Sequence, residues 1–123
     1  MPQTVVLVVD DDPVILNLLT VNFDLEGFGV LTASNGVEAL ALARAGGVDV
    51  IVSDVMMPEM SGLELVHQVQ ADPRLAAIPI VLLSAKAQAA DVRLGLEAGA
   101  ADYVTKPFEP FELVERVRAS LAP

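Results

Sequence analysis

Cysteine is absent from the 123-residue chain, which excludes disulfide scaffolds, thiolate zinc sites and cysteine nucleophiles. Basic residues are scarce. Seven Lys and Arg stand against seventeen Asp and Glu, a formal charge of −10, so the domain repels nucleic acid and anionic lipid rather than gripping them. No apolar run approaches membrane-spanning length. The opening Met1-Pro2-Gln3-Thr4 carries neither the basic flank nor the apolar stretch of a signal peptide, and a cytoplasmic domain is the expectation. Histidine occurs once, as His67 beside Gln68 and Gln70 on a predicted polar helix face, too little for a histidine metal site or a phosphohistidine role. What is present is aliphatic: 54% of residues are hydrophobic, which excludes intrinsic disorder. A chain of this length buries roughly two-thirds of its unfolded surface on folding. One domain spanning 1–123 is expected.

Short apolar runs alternate with helical patterns. Thr4–Val9 is brief, continuous and β-branched, the mark of a strand covered on both faces. Pro13 opens a helix with Val14, Ile15, Leu18, Leu19, Asn22 and Phe23 at helical spacing, and Gly27 closes it. Val30–Ala33 is a weaker second strand. Asn35-Gly36-Val37-Glu38 resembles a capping box opening a helix through Arg44, ended by Gly46-Gly47. The third strand is predicted over Val48–Ser53, ending at Asp54; Ser61-Gly62-Leu63-Glu64 is a second capping box, its helix running to about Ala71. Ile78–Leu83 is the fourth strand, with Pro79 tolerable near its start. A helix over Asp91–Ala98 is interrupted by Gly95 and stopped at Gly99. Glycine in a helix interior costs about 1 kcal/mol, so Gly95 means either a weakly held helix or tight packing. Asp102–Thr105 is the fifth strand, and Pro110–Leu121 the last helix, with Phe111, Val114, Val117 and Leu121 on one stripe. Strict strand–helix alternation predicts an α/β, doubly wound, five-stranded parallel sheet with helices on both faces.

The polar residues within this pattern fall at strand ends. Asp10, Asp11 and Asp12 follow the first strand, Asp54 the third, Ser84 the fourth and Lys106 the fifth. In a parallel sheet these ends share one edge, where ligands of open α/β folds bind. A strand order of 2-1-3-4-5 brings Asp10 and Asp11 against Asp54. Crowded carboxylates disfavour one another's ionisation, and a hard divalent cation with oxygen ligands, Mg²⁺ above all, relieves the repulsion. Such a cation with Lys106 would neutralise an incoming phosphoryl group, leaving a carboxylate to attack it in line. Ser84 can bond a phosphoryl oxygen. The constellation reads as a phosphoryl acceptor.

Four stretches, Val8-Val9-Asp10-Asp11-Asp12-Pro13, Asp54-Val55-Met56-Met57-Pro58 with Ser61-Gly62, Val81-Leu82-Leu83-Ser84-Ala85, and Gly99-Ala100-Ala101-Asp102-Tyr103-Val104-Thr105-Lys106-Pro107-Phe108, resemble the response-regulator receiver domains of two-component signalling, the chemotaxis regulators among them. The resemblance covers essentially the whole chain and implies a flavodoxin-like fold. It makes Asp54 the acceptor of a phosphoryl group from a sensor histidine kinase or phosphotransfer protein. It gives Mg²⁺, with Mn²⁺ as a substitute, to Asp10, Asp11, Asp54 and the Met56 carbonyl. Lys106, preceding a cis bond to Pro107, would contact the phosphoryl oxygens. Ser84 would move toward the phosphoryl group and Tyr103 swing inward behind it, remodelling the fourth helix, fifth strand and fifth helix for an effector protein or fused output domain. Met56 and Lys86 would tune phosphoryl lifetime. Homodimerisation on activation is compatible with the same face. Such a domain catalyses its own phosphorylation and dephosphorylation without being a turnover enzyme.

Plainer roles compete. Acidic residues at a helix N-terminus are stabilising by about 0.3–1 kcal/mol, a role that suits Asp12, whereas three consecutive carboxylates exceed what capping needs. Ser84 reads equally as an N-cap, Lys106 as an ion-pair partner and Tyr103 as a packed aromatic. A haloacid-dehalogenase-like phosphatase would use Asp10 as nucleophile and Asp12 as acid/base, but it leaves Asp54 unexplained, and Glu109 and Glu112 open a helix where that family wants a strand. A phosphorylation-independent adaptor is the third reading.

Overall fold

The computed structural model describes residues 3–86 and 88–122; Met1, Pro2, Ala87 and Pro123 of the expected 1–123 domain lie outside the described residues. Five strands alternate with five helices: β1 (Val5–Val9), α1 (Pro13–Leu25), β2 (Gly29–Ala33), α2 (Gly36–Ala45), β3 (Val50–Asp54), α3 (Gly62–Ala71), β4 (Ile80–Ser84), α4 (Ala89–Ala98), β5 (Asp102–Thr105) and α5 (Pro110–Leu121). The sheet is parallel throughout, as the alternation predicts, and its order is the expected β2-β1-β3-β4-β5.

Strand side chains alternate between two apolar layers, which is why the strands read as unbroken hydrophobic runs. Leu7, Val9, Ile51, Ile80, Leu82 and Tyr103 face the layer that α2 and α3 complete through Leu40, Leu65, Val66 and Val69. Val6, Val8, Val50, Val52, Val81, Leu83 and Val104 face the layer completed by Leu19 and Phe23 of α1 and Leu113, Val114 and Val117 of α5. The helices thus lie on both faces of the sheet, and the sheet's carboxyl edge stays uncovered between them.

Boundaries differ from expectation by one residue at β1, β2 and α2 and by two at the starts of β3, β4 and α4. Val48 is buried but precedes β3. Beside it the Asp49 N–H donates to the Val5 carbonyl, and the Asp49 carboxylate accepts the Val5 N–H at 2.8 Å, a side chain serving where a strand carbonyl would. Ile78 and Pro79 precede β4: Pro79 has no N–H to give the ladder, although its carbonyl accepts from Ile51. At α4 the helix begins two residues early, at Ala89. The predicted stripe of α5 is also corrected. Phe111 is 59% exposed because it lies roughly a third of a turn from the centre of the face formed by Leu113, Val114 and Val117. Val14 of α1 is exposed for the same reason, lying well off the Leu19–Phe23 face.

Candidate functional site

Register builds the site. Val9 pairs with Ser53, so Asp10 and Asp54 come next, side by side, on adjacent strands. Hydrogen bonds continue past the strand ends, with Asp10 N–H donating to Ala33 O and Val55 N–H to Leu83 O. Ser84 pairs with Thr105, and the Lys106 N–H donates back to Ser84 O at 2.8 Å. Lys106 thereby follows β5 at the same edge, and the Lys106–Pro107 peptide is cis.

Asp10, Asp11 and Asp54 each offer a carboxylate oxygen within 4.8 Å of the others'. Asp10 and Asp54 are buried while Asp11 is exposed. The Lys106 ammonium bridges the two buried acids, with Nζ 3.3 Å from Asp10 Oδ2 and 3.4 Å from Asp54 Oδ1. Burial, reinforced by the Asp10 carboxylate, pushes the Asp54 carboxyl above the usual carboxylate range; Lys106 and the Met56 backbone N–H oppose the shift without cancelling it. A single ammonium therefore leaves the rim short of positive charge. Oxygen-only donors at this spacing, two buried and one open to solvent, fit a hard divalent cation that keeps some of its water.

The neighbours divide by role. Asp12 is outside the carboxylate cluster: it caps α1, accepting the Val14 N–H at 2.9 Å, while Asp10 Oδ1 accepts the Asp12 N–H. Ser84 is fully buried and is not a helix cap, since Gln88 occupies that position of α4; its Oγ accepts the Lys86 N–H at 3.1 Å. Tyr103 is buried, its ring already inward, and its hydroxyl donates to the Lys86 carbonyl at 2.9 Å. Met56 is 58% exposed, and Lys86 is exposed as well. His67 lies on the exposed side of α3. Glu109 caps α5, its carboxylate accepting the Glu112 N–H, which removes the acidic pair that a haloacid-dehalogenase-like site needs.

One supporting residue stood in the sequence as part of a cap and of the receiver-like stretch, with no role of its own assigned to it. Gly62 sits where a β-carbon would lie 2.4 Å from the Asp54 carbonyl oxygen and 2.9 Å from Val55 Cα. Its N–H donates to the Val55 carbonyl at 2.9 Å. The start of α3 is thus pressed against the strand end that carries Asp54, an approach open only to glycine. Ser61, immediately before it, caps α3 by accepting the Glu64 N–H.

Comparison with known proteins agrees with this geometry. The family model for the response regulator receiver domain matches residues 6–118. The DNA-binding response regulator MtrA of Mycolicibacterium smegmatis is 46% identical over 116 residues, which are 94% of this chain and 50% of MtrA. The chain spans about half the length of the curated relatives it matches. Among solved structures, a putative response regulator from Chloroflexus aurantiacus superposes with a TM-score of 0.94 at 36% identity, covering 99% of this chain and 100% of that one. The chemotaxis response regulator CheY4 of Vibrio cholerae gives a TM-score of 0.92 at 34% identity, with 98% and 100% covered. Among the described residues no helix is long and apolar enough to cross a membrane. With its fold, its acidic rim and its relatives in agreement, the chain belongs to the response-regulator receiver family, the signalling domains of two-component systems.

Proposed function

We propose that Asp54 accepts a phosphoryl group from a phosphohistidine of a sensor histidine kinase or phosphotransfer protein. One observation carries this reading: Asp54 lies within reach of two further carboxylates and one ammonium at the sheet edge. Asp10, Asp11 and Asp54, with the Met56 carbonyl, would hold Mg²⁺ or Mn²⁺. When bound, the cation supplies the positive charge that a phosphoryl group and crowded carboxylates both require.

The chain's own residues do the rest. An Asp54 carboxylate oxygen bonds to phosphorus as the donor's P–N bond breaks, giving an acyl phosphate on Asp54 and a free imidazole on the donor. Lys106, shared between Asp10 and Asp54, transfers its hydrogen bonds to the phosphoryl oxygens. Ser84 Oγ, released from the Lys86 N–H, turns toward the same group. The phosphoryl group adds charge of about −1.5 to −2, as on other side chains, and biases an existing conformational balance. The face of α4, β5 and α5 then presents a changed surface to an effector or fused output domain. Met56, exposed beside the rim, and Lys86 set how readily water reaches the acyl phosphate. An apolar groove lined by Ile15, Leu18, Ala85, Lys106, Pro107 and Phe108 opens next to the rim, and a donor protein delivering phosphate to Asp54 has to cover it. The net charge of −10 leaves this domain itself without affinity for nucleic acid or membrane, and a cytoplasmic site of action follows from the proposed donor.

The test is transfer of radiolabelled phosphate from acetyl phosphate with Mg²⁺. Asp54→Asn is expected to abolish labelling. Labelling that persists in Asp54→Asn but is lost in Asp10→Asn would transfer the nucleophile's role to Asp10, as in the phosphatase reading. A protein that never labels, yet binds its effector, would be the phosphorylation-independent adaptor.

A further inference from the structure

Helix α4 has one buried residue, and that residue has no side chain: Gly95. A β-carbon there would lie 2.8 Å from Cδ2 and 3.2 Å from Cε2 of Tyr103, and 3.2 Å from Cδ1 of Leu82. The two contacts differ in kind. The Leu82 methyl is the far end of a flexible chain that can turn aside. The tyrosine ring is rigid, and its hydroxyl is tied to the Lys86 carbonyl at 2.9 Å. The ring therefore occupies the volume that any side chain at position 95 would claim. Glycine is a poor choice for a helix interior on conformational grounds, and α4 already lacks a side-chain hydrogen bond at its N-cap. Its place here is accounted for by the ring.

We infer that Gly95 is the seat of Tyr103: a positioning residue whose missing side chain holds the ring inward. Its reach extends to the rim through the backbone of one residue, Lys86. The Lys86 carbonyl accepts from the Tyr103 hydroxyl, and the Lys86 N–H donates to Ser84 Oγ at 3.1 Å. A ring expelled from the seat gives up the Lys86 carbonyl and frees the segment that now engages Ser84. The size of residue 95 thus sets the division between inward and outward Tyr103 without touching Asp10, Asp11, Asp54 or Lys106. This placement of the ring rests on packing alone and stands whether or not Asp54 is the phosphoryl acceptor.

The sequence supplies its own probe, because Tyr103 is the one tyrosine and there is no tryptophan. Intrinsic fluorescence therefore reports on this ring alone, and near-ultraviolet circular dichroism takes its tyrosine band from it. Gly95→Ala is expected to raise acrylamide quenching of Tyr103 severalfold and to collapse its near-ultraviolet band, while far-ultraviolet helix content is kept. Labelling of Asp54 by acetyl phosphate should persist in this variant. Unchanged quenching combined with faster amide exchange across α4 would overturn the inference, since the helix rather than the ring would then have given way. Should Gly95→Ala fail to fold, the pair Gly95→Ala/Tyr103→Ala decides. With the ring gone it should be at least as stable as Tyr103→Ala, because alanine is the better helix former. A pair less stable than Tyr103→Ala alone would show that the glycine answers to something other than the tyrosine.

Discussion

Helices α3 and α4 are neighbours of equal length, ten residues each, beside the same sheet, yet they are held in opposite ways. α3 is capped by the Ser61 hydroxyl, buries Leu65, Val66 and Val69 completely, and is pressed by Gly62 onto the end of β3. α4 has no side-chain cap and buries only a glycine, while Leu94 and Leu96 stand exposed. The difference teaches where the molecule can afford to move. A helix anchored by three buried aliphatic side chains cannot shift without opening cavities. A helix whose one fully buried residue is a glycine against that ring, with Val92 and Ala98 only partly buried on the core, can follow the ring. Both adjoin the acidic rim, but only α4 is tied to it through a rotatable side chain, Tyr103.

The contrast is most easily broken in the core. Leu65→Ala should destabilise the fold by about 2–5 kcal/mol through transfer and cavity terms, whereas Leu94→Ala, 56% exposed, should change it by less than about 0.5 kcal/mol; urea unfolding of the two variants tests this, and equal losses would erase the distinction. Gly62→Ala comes next. Its β-carbon meets backbone at 2.4 Å, so overpacking should cost about 1–3 kcal/mol and also reduce Asp54 labelling, which Leu65→Ala should not do in the fraction that stays folded. At the caps the two helices should respond with opposite signs. Ser61→Ala should remove about 1 kcal/mol, while Gln88→Ser, installing a cap where the side chain makes none, should add stability of about the same size or less. Thermal unfolding of both variants reads the sign directly.

The last effect is read from pH. Because burial and Asp10 raise the Asp54 carboxyl in the folded state, the folded protein binds that proton more readily than the unfolded chain does. Ionising Asp54 therefore costs stability as pH rises through its folded value, and the cost disappears below the ordinary carboxylate range. Asp54→Asn should stabilise the fold at neutral pH, with the gain vanishing in acid. A variant destabilised at neutral pH would mean that Lys106 outweighs burial.

The parallel sheet and the meeting of Asp10, Asp11, Asp54 and Lys106 at one edge were legible from strand–helix alternation, while the strand order rested on the uncharged end of the second strand, which suits a border position. β-branched runs locate the strands, parallel pairing puts their carboxyl ends together, and the residues next along the chain have to meet. Boundaries were less legible where side chains replace the ladder, as Asp49 does at Val5, or where proline cannot join it, as at Pro79. The exposure of Phe111 was missed because its neighbours' periodicity fixes the buried face only once Leu113 is included. Gly95 was ambiguous for a plainer reason: a glycine in a helical pattern says that something comes close, or that nothing does, and only the position of a residue eight places on distinguishes them. The inward ring of Tyr103 was similarly hidden, since a tyrosine before a strand-end lysine is compatible with either rotamer.

The central claim is that a phosphoryl group at Asp54 is felt by α4 and not by α3. Amide hydrogen exchange with and without beryllofluoride and Mg²⁺, which together imitate the phosphorylated aspartate, tests it most directly. The account predicts altered exchange in α4 and around Tyr103 with α3 unchanged, and loss of the response in Asp54→Asn; equal changes in both helices, or a response that survives Asp54→Asn, would contradict it.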